Sequence, residues 1–151
     1  MSKKIRFAQA PRKDFPSPAL LKKCLQKTLE AMGFRLESLQ YTFLSDDELL
    51  EMNKEFLAHD YYTDILTFDL SEAKGIIEGD VYISRDRVRE NAVAAGVGAE
   101  EEFCRVIGHG LLHLCGLKDK TKADAEKMRL AEDAFIRLCN EIMKETPSPA
   151  G

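Results

Sequence analysis

The sequence predicts an α/β (α+β) fold: a single mixed sheet of about four strands packed with about five helices, with a metal site on one helix and the loop after it. Three observations predict it. Four short segments carry the aromatic and β-branched residues of strands. Five longer segments carry apolar residues at helical spacing between recognisable cap residues. No linker divides these elements, so residues 1–145 read as one domain and 146–151, with Pro147 and Pro149, as a loose C-terminal tail.

Each element has its own signal. Ile5-Arg6-Phe7-Ala8 alternates and predicts a first strand. Ser17-Pro18 opens a helix with proline at the first helical position. Leu21, Cys24, Leu25, Thr28, Leu29 and Met32 give that helix its apolar stripe, and Gly33 ends it. Leu39 to Leu44 reads as a strand. Ser45-Asp46-Asp47-Glu48 is a capping box for a second helix running to about Leu57. Ile65 to Phe68 and Val81 to Ile83 read as strands joined through Gly75 and Gly79. Ser84 caps a third helix to about Ala95, which Gly96-Val97-Gly98 breaks. A fourth helix covers about Ala99 to Cys115, with Gly116 as the residue that lets it end. The last helix runs from about Lys122 to Lys144, with Met128, Ala131, Phe135, Leu138 and Ile142 on its apolar face.

Composition narrows the function classes. The chain has 151 residues, 44% hydrophobic and 32% charged, values that suit a packed domain and not a disordered one. No apolar run is long enough to span a bilayer, and no apolar stretch follows the basic start Lys3-Lys4, so a cytoplasmic location with no membrane partner is expected. The net charge of −4 argues against attachment to nucleic acid by bulk charge and leaves room only for a local basic patch. Cys24, Cys104, Cys115 and Cys139 form no C-x-x-C pair and are expected as reduced, small apolar residues.

The chemistry gathers at His109-Gly110-Leu111-Leu112-His113-Leu114-Cys115-Gly116-Leu117-Lys118-Asp119. His109 and His113 stand four apart on a helix, about 6 Å along its axis, so both imidazoles share one side. Phe103, Ile107, Gly110 and Leu114 form the neighbouring buried row, so the histidines border the core. Gly116 lets the chain turn back and Asp119 can return a carboxylate to the same point. The frame H-x-x-x-H-x-x-G-x-x-D is similar to the extended zinc motif H-E-x-x-H-x-x-G-x-x-H, with Asp in the third place. Two imidazoles and a carboxylate, with a fourth position for water, are the donors of an open catalytic zinc site. One divalent ion, with zinc expected, is therefore assigned to His109, His113 and Asp119. Zinc peptidases of this kind place a glutamate after the first histidine; here that residue is Gly110, where a helix permits close approach of a neighbouring backbone.

These residues resemble the YbeY family of metal-dependent endoribonucleases. That family's signature runs His-Gly-x-Leu-His-Leu-x-Gly-Tyr-Asp-His. Thr63-Asp64-Ile65-Leu66-Thr67-Phe68 is similar to its Thr-Asp-Val-Leu-Ser-Phe, and Gly79-Asp80-Val81-Tyr82-Ile83-Ser84 to its Gly-Asp-Ile-x-Ile-Ser. Asn53 and Asp60 fit the segment before the first block. The resemblance spans about Tyr41 to Asp119 with the three blocks in the family's order. It implies a single-strand-specific endoribonuclease of ribosomal RNA maturation and ribosome quality control, with ribosomal RNA and ribosomal particles as partners. Three positions depart from the pattern. Asp119 stands for the usual third histidine, Leu117-Lys118 for the usual Tyr-Asp, and Leu57 for the usual arginine after Phe56. Arginine there can hold a phosphate by two hydrogen bonds, and leucine cannot.

No residue stands out as the general base; His59, two residues past Leu57, is the candidate to cover part of the arginine's role. Arg85, Lys118 and Lys120 are the candidate phosphate contacts, the two lysines because they flank Asp119, with Arg87, Arg89, Arg105 and Lys122 as further basic positions. Two other readings stay open at this point: a zinc hydrolase of a peptide or small-molecule substrate, and a non-catalytic ribosome-assembly module stabilised by its metal.

Overall fold

The computed structural model describes residues 4–59 and 61–145; Asp60 and the expected tail 146–151 lie outside the described residues. The elements follow in the predicted order: β1 (Ile5–Ala8), α1 (Pro18–Met32), β2 (Arg35–Leu44), α2 (Asp46–Leu57), β3 (Ile65–Asp69), β4 (Ile76–Ser84), α3 (Arg85–Ala95), α4 (Ala99–Leu114) and α5 (Lys122–Glu145). The strands form one mixed sheet in the order β1-β2-β4-β3. β1 and β4 run parallel to β2, and β3 runs antiparallel to β4 at the edge. Among the described residues no helix is long and apolar enough to cross a membrane.

The helix ends obey their local chemistry. The Leu20 N–H donates to Ser17 Oγ, and Gly33 closes α1 in the left-handed region at φ 79°. Ser45 and Glu48 complete both hydrogen bonds of the capping box. The Arg87 N–H donates to Ser84 Oγ at the start of α3, and Gly96 ends that helix at φ 70°.

The strands depart from the sequence pattern in one way: they are longer. β2 begins at Arg35 and not Leu39, because polar residues that carry no alternating signal pair with Ile76–Glu78 of β4 across a bulge. Gly79 is not in the connection, as the sequence suggested, but inside β4, where Leu114 packs so closely that a Cβ would lie 2.9 Å from it. Gly75 does make the turn, at φ 80°. Met32, expected in the stripe of α1, lies exposed at its last turn. On α5 the buried face is broader than expected: Glu132, Ile136 and Cys139 join Met128, Phe135 and Ile142, while Ala131 and Leu138 are half-buried.

The two faces of the sheet differ in depth. On one face Tyr41, Phe43, Val81 and Ile83 meet α1, α4 and α5 in the main core. On the other, Leu66 with partly buried Phe68 and Tyr82 meets only Leu44 and α2's Leu49 and Met52. Strand alternation sends Tyr82 and Val81 to opposite sides. Two contacts seat α4 on the main face. The Tyr41 hydroxyl donates to the Ile107 carbonyl at 2.8 Å, and Gly110 lies against Ile65 and Val81, where a Cβ would sit 3.1 Å from both. The close neighbours at Gly110 are thus sheet side chains and not a backbone. Gly108 does the same toward α5: a Cβ there would lie 2.6 Å from the Phe135 ring. His109 sits between these two glycines, at the seam of α4, α5 and the sheet.

Candidate active site

An open cleft of about 740 Å³ runs along this seam. His109, His113 and Asp119 line one wall, with Glu132 and Arg105 behind them; Leu57, His59, Tyr61 and Asp64 line the other.

On the first wall His109 is held from both ring nitrogens. Its Nδ1 lies 2.7 Å from Glu132 Oε2, and its Nε2 lies 3.5 Å from Asp119 Oδ2. Glu132 is fixed in turn by Arg105, whose Nη1 donates to Oε1 at 3.1 Å while its Nη2 donates to Asp133 at 2.8 Å. The Glu132 and Arg105 side chains are only 9% and 15% exposed, so this is a buried, hydrogen-bonded ion pair. Burial pulls the His109 imidazole down, but the Glu132 hydrogen bond and charge, with Asp119 and Asp64, outweigh it, and its pKa is raised. His113, one turn on, is lowered by burial and by the neighbouring His109. The two rings are 6.1 Å apart and nearly perpendicular. Gly116, at φ 103°, turns the chain from α4 toward Asp119. Among the described residues no three His, Cys, Asp or Glu side chains close on a single point in this arrangement.

The second wall is built on α2 and the segment entering β3. Ala58 ends α2 in the left-handed region at φ 55°. The His59 N–H then donates to the Asn53 carbonyl at 3.1 Å, and the Asn53 side-chain amide donates to the Tyr61 carbonyl at 2.9 Å. His59 and Tyr61 stack, and the Tyr61 hydroxyl lies 3.0 Å from His59 Nδ1. Leu57 is 41% exposed beside them. Asp64 is raised by burial, an effect His109 opposes, so its carboxyl holds a proton more readily than an ordinary aspartate.

The candidate cations divide. Lys120 lines the cleft, as does Arg129, which the sequence did not single out. Arg85 lies outside the lining and turns a guanidinium nitrogen toward the Phe43 carbonyl at 3.5 Å. Lys118 is exposed but also outside the lining. Arg87 pairs with Asp46 at 2.7 Å, and Arg105 is occupied by Glu132 and Asp133. Sequence reasoning missed Glu132 altogether. Its one signal is a carboxylate on the inward stripe of α5, where an apolar residue is expected.

Fold and site together define a single-sheet α/β protein whose cleft is walled by a helical histidine pair and a returning aspartate. The chain matches the family model described as Endoribonuclease YbeY over residues 7–140. It is 54% identical over 105 residues to an Endoribonuclease YbeY of Cytophaga hutchinsonii, covering 70% of this chain and 73% of that one. It is 46% identical over 121 residues to that of Porphyromonas gingivalis, covering 80% of each. A solution structure of a Thermotoga maritima protein superposes with a TM-score of 0.65 at 25% identity, covering 97% of this chain and 99% of that one. The chain belongs to the YbeY endoribonuclease family.

Proposed function

We propose that this chain is a metal-dependent endoribonuclease that cuts phosphodiester bonds in single-stranded RNA, and that its substrate in the cytoplasm is ribosomal RNA, free or in ribosomal particles. Membership of the YbeY family supports the reaction class. The observation that supports the metal is the double tether of His109. A metal-ligating histidine typically commits one ring nitrogen to a carboxylate and offers the other. Here Nδ1 is committed to Glu132 and Nε2 faces Asp119.

His109, His113 and Asp119 would hold one divalent ion, zinc by the hardness and number of the donors. The ion would supply Lewis acidity toward a phosphoryl oxygen and acidify water. The residues do the rest. Glu132 fixes the tautomer and angle of His109, and Arg105 holds Glu132 in place. Lys120 and Arg129 bring positive charge to the cleft, which a chain of net charge −4 supplies only locally. Gly110 speaks against a peptidase: the position where zinc peptidases carry their glutamate has no carboxylate and is packed tightly on Ile65 and Val81.

Single-stranded RNA should be cut by the full chain, and both chelator and His113→Ala should reduce the rate by at least about a hundredfold. Elemental analysis should find zinc in the unaltered protein and little in the variant. Cleavage that survives both treatments would overturn the metal reading. Binding of ribosomal particles without cleavage would favour an assembly role instead.

A further inference from the structure

We propose that His59 and Tyr61 form a stacking platform that seats an unpaired nucleobase beside the phosphate to be cut. The proposal rests on the endoribonuclease reading and names what this chain uses at the rim where its family usually carries an arginine and this chain carries Leu57.

The segment 56–62 is built against the ordinary rule for surfaces. Phe56 is 60% exposed, Tyr61 56%, and Leu57 and Tyr62 are also open to solvent. Single exposed apolar residues are common, but several within one short segment mark a contact surface. Leu57 brings no charge to this rim. What the rim offers is ring faces.

The platform is fixed before any ligand arrives. The His59 and Tyr61 rings lie 5.1 Å apart at 21°, and the tyrosine hydroxyl meets His59 Nδ1. Buried Asn53, 1% exposed, ties both ends of the loop by accepting from His59 N–H and donating to the Tyr61 carbonyl. Asn53 also lines the cleft, and its Oδ1 is buried without a donor among the described residues. A buried acceptor left open at a site points to a ligand that brings a donor, and RNA brings base amines and 2′-hydroxyls. Ala58, held at φ 55°, is a strained turn at the same loop, as functional sites often carry.

The occupant follows from these features. Both rings line the same cleft as His109, His113 and Asp119, so a base stacked on them is held in the cleft that carries the histidine pair. Stacking accepts any base but needs one not already stacked in a duplex. The platform therefore selects unpaired RNA without reading sequence.

The test uses the full chain in chelator, so that RNA binds uncut, and a short single-stranded RNA carrying 2-aminopurine. The unaltered protein should quench the probe, and Tyr61→Phe, which keeps the ring, should quench it as well. Tyr61→Leu should weaken binding by about tenfold to a hundredfold and abolish the quench. The same RNA annealed to its complement should give no quench with any of the three. If Tyr61→Leu binds and quenches like the unaltered protein while that protein still cuts RNA, the platform is wrong and the nuclease reading stands. If the unaltered protein neither quenches nor cuts, both fall.

Discussion

The two walls of the cleft are stabilised in opposite ways. The histidine wall is stiffened from behind by a buried relay, Arg105 to Glu132 to His109, and by two glycines that let α4 press on α5 and the sheet. The facing wall hangs on α2, above the smaller core of Leu44, Leu49 and Leu66, and leaves its rings in solvent. The roles proposed for the two walls would account for the difference. Groups that hold an ion and polarise a phosphate must keep their angles, which needs buried partners. A surface that meets a flexible strand must stay accessible, and here Asn53 pins the backbone while the His59 and Tyr61 rings are held by each other in solvent.

The largest effect should come from the relay. Glu132→Ala leaves the partly buried Arg105 with Asp133 alone and His109 without the carboxylate on its Nδ1. Loss of one partner of a buried pair costs about 3 kcal/mol or more. Chemical denaturation should show that loss, and competition with a chromophoric chelator should show metal affinity lowered by about 10- to 100-fold. Tyr61→Leu, on the other wall, should change stability by less than about 0.5 kcal/mol, as exposed substitutions do. If the two variants lose equal stability, the contrast between the walls is mistaken.

How much of each wall could be read in the sequence follows the same division. Local signals were faithful: Ser17-Pro18, the Ser45–Glu48 box, Ser84 and Gly96 set helix ends where the structure has them. The histidine pair and Asp119 were legible because their spacing lies within one helix and its following loop. Glu132 was not, because it reaches His109 from a different helix across 23 positions, and no periodicity reports such a contact. Arg105 looked like a free cation, since sequence shows a charge and not its partner. The early halves of β2 and β4 were missed because Arg35, Glu37 and Ser38 are polar and because Glu78-Gly79-Asp80 interrupts the apolar pattern after Ile76 and Ile77. The stacked rings of the second wall were hidden for the same kind of reason: sequence places His59 and Tyr61 two apart but does not report that their rings stack.

That turn gives an intermediate effect. Alanine at φ 55° carries the steric cost of the left-handed region, which glycine avoids, while glycine adds freedom to the unfolded chain. Ala58→Gly should stabilise the protein by about 0.5–1 kcal/mol net, seen as a higher denaturation midpoint. A lower midpoint would mean that the methyl group, and not the Asn53 ties, positions the loop.

The smallest effect lies at the far end of the same helix. The Glu48 carboxylate accepts the Ser45 N–H at 2.9 Å, its own N–H donates to Ser45 Oγ at 3.1 Å, and bonding to the Ser45 backbone N–H and side chain holds its pKa below the usual glutamate value. A folded-state pKa below the unfolded one means that the unfolded chain binds the proton more readily. The contribution is therefore present above the ordinary glutamate value of about 4.3 and disappears as pH falls through the lower folded value. Glu48→Gln keeps an acceptor but has nothing to titrate. The small stability gap between the two proteins at neutral pH should close in strong acid. A gap that stays constant would show that α2 is held by packing on Leu49 alone, and the second wall would then depend on its shallow core and not on its cap.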